Sequence, residues 1–278
     1  MTSQFTTQPD QHRFKTRDAE SYDSVVAYFD RFTERFSAHM PAPLLAMANV
    51  PADGVVLDVG TGTGIVALGV AAGLGPAGKV VGIDLSDGML ATAEQKAKRT
   101  GLGDRTEFIR MDAEDLSFAD NSFDACHMER LLQVIPSSTS PKSVMVEAIR
   151  VLKPGGRLVA ADTDWATASV NYHDVQLERK LMSFFAQKMR PNGFAGRQLF
   201  PIMHDLKLEN IEIEVFPLIQ TNFSETPFGA WLQGEAVKNG IARHKQMDQW
   251  VNTLQQQSNN GSFFGIVNMV VISAAKPG

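Results

Sequence analysis

The chain of 278 residues has an ordinary globular composition, with 44% hydrophobic and 21% charged residues, and it is long enough to bury a sizeable core. Its formal net charge of −5 and the absence of a long Lys/Arg run argue against a nucleic-acid partner, which needs cationic side chains to replace phosphate counterions. Because Cys126 is the one cysteine and the sequence shows neither a signal peptide nor a membrane-spanning apolar run, we expect a cytoplasmic protein without disulfides or membrane insertion.

The N-terminal residues divide into a polar stretch and a helical stretch. Residues 1–21 are polar, and we expect a flexible N-terminus there. Apolar side chains then recur at helical spacing from Tyr22 to Phe36, and a shorter apolar helix is expected at Ala42–Ala48. We therefore predict a helical cover over residues 22–50.

The main domain is predicted to span residues 51–278 and begins with alternating strands and helices. Helices of this length between strands imply right-handed crossovers and a parallel sheet. Lys153–Gly156 should end the helix that precedes the fifth strand. The predicted strands are Val55–Val59, Val80–Asp84, Thr106–Arg110, Ser122–Met128 and Arg157–Asp162.

The C-terminal part has a different layout. Ile211–Ile219 and Phe263–Ala274 both have the pattern of strands, and residues 226–256 between them have the pattern of two helices. Thr226 is the expected N-cap of the first of these helices, with Pro227 at its first position.

A glycine-rich turn follows the first strand. Leu57–Gly64 reads LDVGTGTG and leads into an apolar helix, and Gly60 and Gly62 would let the backbone turn tightly and approach a ligand. A turn of this kind without any ligand is an alternative reading. Ile65 stands where the third glycine of a dinucleotide fingerprint would be, which disfavours a nucleotide-dependent oxidoreductase.

An acidic residue, Asp58, ends the strand just before these glycines. Its carboxylate would repel a pyrophosphate and attract a cationic ligand. S-adenosylmethionine (SAM) carries a sulfonium and an ammonium group, so Asp58 favours this nucleoside over a dinucleotide.

Two further acids stand at the ends of later strands, where ligands of open α/β sheets bind. Asp84 could accept hydrogen bonds from both ribose hydroxyls; alternatively it could cap the next helix, a role that Ser86 or Asp87 could fill instead. Asp112 could accept from an adenine amino group while Ala113 offers its backbone amide, although a charged loop without a ligand is an equal alternative.

The ordered motifs LDVGTGTG, VVGIDLS, RMDAEDLSF, NSFDACHMERLLQVI and RVLKPGGRLVAAD resemble the successive motifs of the class I SAM-dependent methyltransferases. They look closest to the small-molecule branch with the ubiquinone/menaquinone and natural-product enzymes, and the match covers residues 22–164. The resemblance implies a Rossmann-like, doubly wound α/β fold. Its seven-stranded sheet would be mostly parallel with an antiparallel last strand, and a helical lid at about 225–258 would shape the substrate pocket.

The resemblance also implies where SAM binds. Tyr22 and its helix would close over the cofactor, Met89 would flank the adenine, and Met128 with Glu129 would approach the methionine part. The implied cofactor-binding residues are Tyr22, Asp58, Gly60, Thr61, Gly62, Gly64, Asp84, Leu85, Met89, Asp112, Ala113, Met128 and Glu129.

Catalysis of methyl transfer rests mainly on positioning, and a base is needed only if the nucleophile must lose a proton. His127, at the end of the fourth strand, is the candidate catalytic residue, although a structural role is the alternative. Many relatives carry a histidine in the following loop, where this chain has Val134. No paired-histidine motif is present, so we expect no metal.

Trp165, Tyr172 and Trp231 are candidates for lining an apolar pocket for an aromatic or isoprenoid-like small molecule, with core packing as the alternative. The accepting atom (C, N or O) is left open, and a homo-oligomer is possible. A SAM-binding protein with a non-methylating reaction or a regulatory role is the main competing function, because one fold hosts many chemistries. Methylation of RNA or protein is a further alternative, and the acidic balance disfavours RNA.

Overall fold

The computed structural model of the protein describes residues 40–136 and 139–278. The N-terminal predictions, which include the flexible stretch 1–21 and the cofactor-binding role of Tyr22, lie outside the described residues. The first described helix is α1, Pro41–Ala48, which begins with a proline in its first turn as a helix start allows.

Strands and helices alternate through most of the described chain. The strands are β1 Val55–Val59, β2 Lys79–Asp84, β3 Thr106–Arg110, β4 Phe123–Glu129, β5 Leu152–Val170, β6 Glu209–Gln220 and β7 Gly265–Ala275. The helices after α1 are α2 Ile65–Gly73, α3 Asp87–Thr100, α4 Pro141–Val151, α5 Val175–Phe184, α6 Ala195–Asp205, α7 Ala230–Lys238 and α8 His244–Asn259.

The seven strands form one sheet in the order β3-β2-β1-β4-β5-β7-β6, mostly parallel with an antiparallel last strand, which confirms the predicted Rossmann-like fold. β1 pairs in parallel with β2 on one side and with β4 on the other. The chain therefore reverses its direction of winding beside β1, and ligands of open α/β sheets bind at such a switch point.

Packing divides the chain into two compact units. Of the described residues, the N-terminal unit comprises 40–129, 136, 139–159 and 275–278, and the C-terminal unit comprises 130–135 and 160–274. The N-terminal unit buries aliphatic strand residues such as Leu57 and Ile83. The largest fully buried side chains of the C-terminal unit include Trp250 and Phe185.

The fifth strand is longer than the sequence pattern predicts. The helix α4 does end at Val151, yet Lys153–Gly156 continues as strand because Gly155 N–H donates to the Lys276 carbonyl (3.0 Å) and Lys276 N–H donates to the Gly156 carbonyl (2.9 Å). Partners far along the chain thus override a local turn pattern.

The expected helix start at Thr226 is wrong. Thr226 instead follows a short 3-10 turn, and helix α7 begins only at Ala230, after Gly229. The Trp250 indole N–H donates to the Phe228 carbonyl (3.0 Å), which holds this segment outside the helix. The segment between β5 and β6, which the sequence pattern left unassigned, contains α5, α6 and a π-helical turn.

None of the helices in the described ranges has the length and apolar content needed to cross a bilayer.

Two glycines of the N-terminal unit allow the packing around the glycine-rich turn to be tested. Gly64 and Gly101 both have left-handed backbones, with φ of 75° and 72°. A Cβ on Gly64 would lie 2.8 Å from the Ala93 Cβ, whereas a Cβ on Gly101 would meet nothing within 4 Å. Both alanine variants should lose about 1–2 kcal/mol to backbone strain. Gly64→Ala should lose about 1–3 kcal/mol more through overpacking.

Urea unfolding of the two variants measures this difference in the free energy of unfolding. Equal values for Gly64→Ala and Gly101→Ala would contradict the close packing of the glycine-rich turn against α3.

Candidate active site

The glycine-rich turn after β1 forms the first wall of the site. Gly60, Gly62 and Gly64 have φ of 76°, 53° and 75°, a region that costs other residues about 1–2 kcal/mol. The Gly60 and Thr61 N–H groups both donate to the Ile83 carbonyl at the end of β2, at 2.9 and 2.8 Å. Among the described residues, a Cβ on Gly62 would meet no atom within 4 Å, so the backbone here borders open space.

Asp84 joins this turn to the loop after β2. One carboxylate oxygen accepts from Gly62 N–H and the other from Ser86 N–H, each at 2.9 Å. The Leu85 N–H also donates to this carboxylate, which retains acceptor capacity that suits a ribose hydroxyl. Burial raises the pKa of Asp84 above its ordinary value; the backbone N–H bonds oppose this shift, and the negative charge of Asp58 adds to it.

Helix α3 is capped by Ser86, whose hydroxyl accepts from Met89 N–H at 3.1 Å. The alternative role of Asp84 as the cap of this helix is therefore wrong, and its carboxylate faces the two loops. Leu85 is half-buried between these residues, and Met89 is buried in the first turn of the helix.

The loop after β3 brings the third predicted acid to the same sheet edge. Met111 N–H donates to the Asp84 carbonyl (3.1 Å), which ties the loops after β2 and β3 together. Asp112 is half-buried, and its Oδ1 accepts from Glu114 N–H at 3.0 Å. Ala113 lies half-buried between them.

Asp58 lies beneath the glycine-rich turn and is 2% exposed. Its Oδ2 accepts from the Thr61 hydroxyl at 2.7 Å, and its Oδ1 lies 2.9 Å from His127 Nε2 on the neighbouring strand. Gly82 makes room for this arrangement, because a Cβ there would lie 2.7 Å from the Thr61 hydroxyl oxygen. A glycine inside a strand can indicate such a close approach, so Gly82 could have been found from the sequence.

The candidate base His127 is likewise buried, and its Nε2 faces Asp58. The Nε2–H is not aligned with an acceptor, so its contact with Asp58 is electrostatic rather than a regular hydrogen bond. Met128 is buried in β4 beside Val59, its register partner, and Glu129 is half-buried at the end of the strand.

The structure thus connects the predicted residues Asp58, Thr61, Gly60, Gly62 and Asp84 through hydrogen bonds within the N-terminal unit.

The candidate pocket residues lie in the C-terminal unit. Trp165 and Trp231 both contact the buried ring of Phe185, with centroid distances of 5.1 and 5.7 Å. Tyr172 instead packs against Trp250 at 4.7 Å. Trp165 and Tyr172 are buried, whereas Trp231 is 49% exposed.

Sequence reasoning did not single out two polar residues beside this aromatic cluster. The Trp165 indole N–H donates to the Gln133 side chain, and the Arg190 guanidinium lies 4.5 Å above the Trp165 ring. No local sequence pattern indicates these two residues, because Gln133 and Arg190 both lie far from Trp165 along the chain.

Comparison with known proteins adds an independent line of evidence. Residues 56–156 match the model of a methyltransferase domain family. The chain is 29% identical over 91% of its length to an uncharacterized 37.1 kDa transposon protein of Streptomyces fradiae, of which the match covers 72%. It is also 35% identical over 52% of its length to the demethylmenaquinone methyltransferase of Geobacillus kaustophilus. That match covers 62% of the Geobacillus enzyme, so the chain spans less than two thirds of this relative.

Solved structures share the fold. A candidate methyltransferase from Bacillus halodurans aligns with a TM-score of 0.60 at 21% identity, over 86% of this chain and 99% of that one. The (4+2)-cyclase SpnF aligns with a TM-score of 0.58 at 20% identity, over 95% of this chain and 97% of that one.

Asp84→Ala should weaken binding of SAM by at least about tenfold, because hydrogen bonds to a charged group are worth about 1.5–3 kcal/mol each. Titration calorimetry of the purified chain measures the affinity. The matched control is Asp87→Ala, which removes an exposed carboxylate from the first residue of α3, where it pairs only with the exposed Arg110 among the contacts described. Equal SAM affinity in the Asp84 variant and the wild type would remove Asp84 from the site.

Proposed function

We propose that this chain, which carries a class I SAM-dependent methyltransferase domain, transfers a methyl group from SAM to a small apolar or aromatic metabolite. The observation that carries the proposal is the Asp84 carboxylate, which binds the glycine-rich turn and the loop after β2 at a sheet edge that borders open space. The family match over the same residues supports SAM as the cofactor.

The residues around this edge suit the parts of SAM. The open backbone at Gly62 would allow close approach of the cofactor, and Asp84 would accept from the ribose hydroxyls. Asp112 and Ala113 would contact the adenine, which Met89 would flank. Bound SAM supplies an electrophilic methyl group, which an in-line displacement passes to a C, N or O atom of the substrate.

The chain contributes to this reaction chiefly by holding the reactants in place. Effective positioning is worth about 7–11 kcal/mol in well-aligned cases. His127 is buried against Asp58, an arrangement that suits a supporting role better than proton abstraction from a substrate. Glu129, half-buried at the end of β4, is another ionisable side chain at this strand end.

The aromatic cluster of the C-terminal unit, Trp165, Phe185, Phe228 and Trp231, supports an apolar or aromatic substrate. Trp165, Phe185 and Phe228 form mutual edge contacts at 5.1–6.4 Å. Trp231 extends the cluster to an accessible surface, since about half of its side chain is exposed. Aromatic rings of this kind line many small-molecule pockets. We also propose that α7 and α8, in the region 225–258, act as the lid.

One experiment separates methyl transfer from a non-methylating reaction. The chain is incubated with SAM that carries a labelled methyl group and with fractionated metabolites. The proposal predicts S-adenosylhomocysteine together with an equal amount of a labelled small molecule. A metabolite rearranged without label, as the fold likeness to a cyclase would allow, would instead favour the alternative of a non-methylating SAM-binding protein.

Trp231→Ala should raise the substrate KM about tenfold or more, because an aromatic contact area is lost while the cofactor residues are untouched. Affinity for SAM should stay at the wild-type value. Steady-state kinetics and calorimetry measure the two quantities. Phe200→Ala is the matched control, because it removes another half-exposed aromatic ring from the same unit. If both variants change KM equally, Trp231 is not a pocket residue.

A further inference from the structure

A buried charge pair lies beneath the glycine-rich turn. Asp58 on β1 and His127 on β4 are register partners on adjacent parallel strands. Both side chains are 3% exposed, and Asp58 Oδ1 lies 2.9 Å from His127 Nε2. At this distance two lone pairs would repel each other, so the histidine Nε2 carries a hydrogen.

This pair has an evident cost to stability. A buried polar atom without an aligned partner is destabilising, and His127 Nε2 has no aligned acceptor. An apolar β-branched residue would fill a strand position between Cys126 and Met128 without that cost. Buried groups of this kind call for an explanation, and functional sites are where such costs are found.

The charge of Asp58 acts on the glycine-rich turn and on Asp84. The same carboxylate accepts from the hydroxyl of Thr61, which stands between Gly60 and Gly62 in the turn. Its negative charge also contributes to the raised pKa of Asp84. A negative charge placed here attracts a sulfonium more than a neutral thioether.

We propose that His127 is a positioning residue that holds the buried Asp58 carboxylate against the glycine-rich turn, and that this carboxylate raises the affinity of the turn for SAM relative to its demethylated product. The inference rests on the proposed function, since it takes SAM as the cofactor. Without His127, a carboxylate at this depth would lose its one cationic or donor neighbour besides Thr61 among the contacts described. A buried carboxylate without such a neighbour is strongly disfavoured where it stands, so the variant would no longer present this charge to the turn.

The test measures the affinities for SAM and for S-adenosylhomocysteine by calorimetry at neutral pH. Asp58→Asn removes the charge directly and should lower the preference for SAM over S-adenosylhomocysteine by about tenfold. His127→Val should lower it to a similar extent. The double variant should show no further loss, because both changes remove the same charge.

A conservative variant and a matched control separate this role from a merely structural one. His127→Gln retains an N–H donor near the position of Nε2, and its preference for SAM should lie within about twofold of wild type. Cys126→Ala perturbs the same buried strand without touching Asp58 and should leave the preference unchanged while it lowers stability. If His127→Val does not fold, His127→Asn, whose shorter side chain falls short of Asp58, replaces it.

The outcomes distinguish this inference from the proposed function. If the wild-type chain binds neither nucleoside, the proposed function fails. If it binds both and His127→Val retains the wild-type preference, the role of His127 is overturned while the methyltransferase proposal stands.

Discussion

The site depends on one interaction, the double acceptance of backbone N–H groups by the Asp84 carboxylate. Gly62 N–H and Ser86 N–H come from two different loops, and each donates to a separate oxygen at 2.9 Å. These bonds fix the distance between the glycine-rich turn and the start of α3. The buried position of Asp84 costs the native state free energy of unfolding, because burial raises the pKa of its carboxyl group. The penalty is absent below the ordinary pKa of an aspartate and grows as the pH rises to the native value.

The strand order explains why the contact between Asp84 and the glycine-rich turn lies at this edge of the sheet. β1 is flanked by β2 and β4, so the loops that follow β1 and β4 leave the sheet on the two sides of the winding reversal. Glycine at 82 lets Thr61 approach the neighbouring strand, and glycine at 64 lets the turn pack on Ala93 of α3. The turn is therefore held by strand register, by close packing and by Asp84 together.

The fold and the glycine-rich turn at the sheet edge could be predicted because their information is local. The bounds of β1 and β3 are those predicted from the local sequence, and the turn at Leu57–Gly64 follows from its glycines. The rest depends on contacts between distant residues. The pair of Asp58 and His127 spans two strands, the extension of β5 depends on Lys276, and the position of Phe228 depends on Trp250. No periodicity within a short window encodes such pairs.

Asp58 and Asp84 illustrate how a charged ligand can be selected by groups that are costly to the fold. Two carboxylates close enough to affect each other's ionisation would be unfavourable in a core without a ligand. Thr61, His127 and three backbone N–H groups offset part of that cost, and each partner sits in a strand or beside a glycine-rich turn. A cation at this edge would offset the remainder, because it favours the ionised form of both acids. On the proposal made above, the same electrostatics that weakens the free protein favours a sulfonium over a neutral thioether.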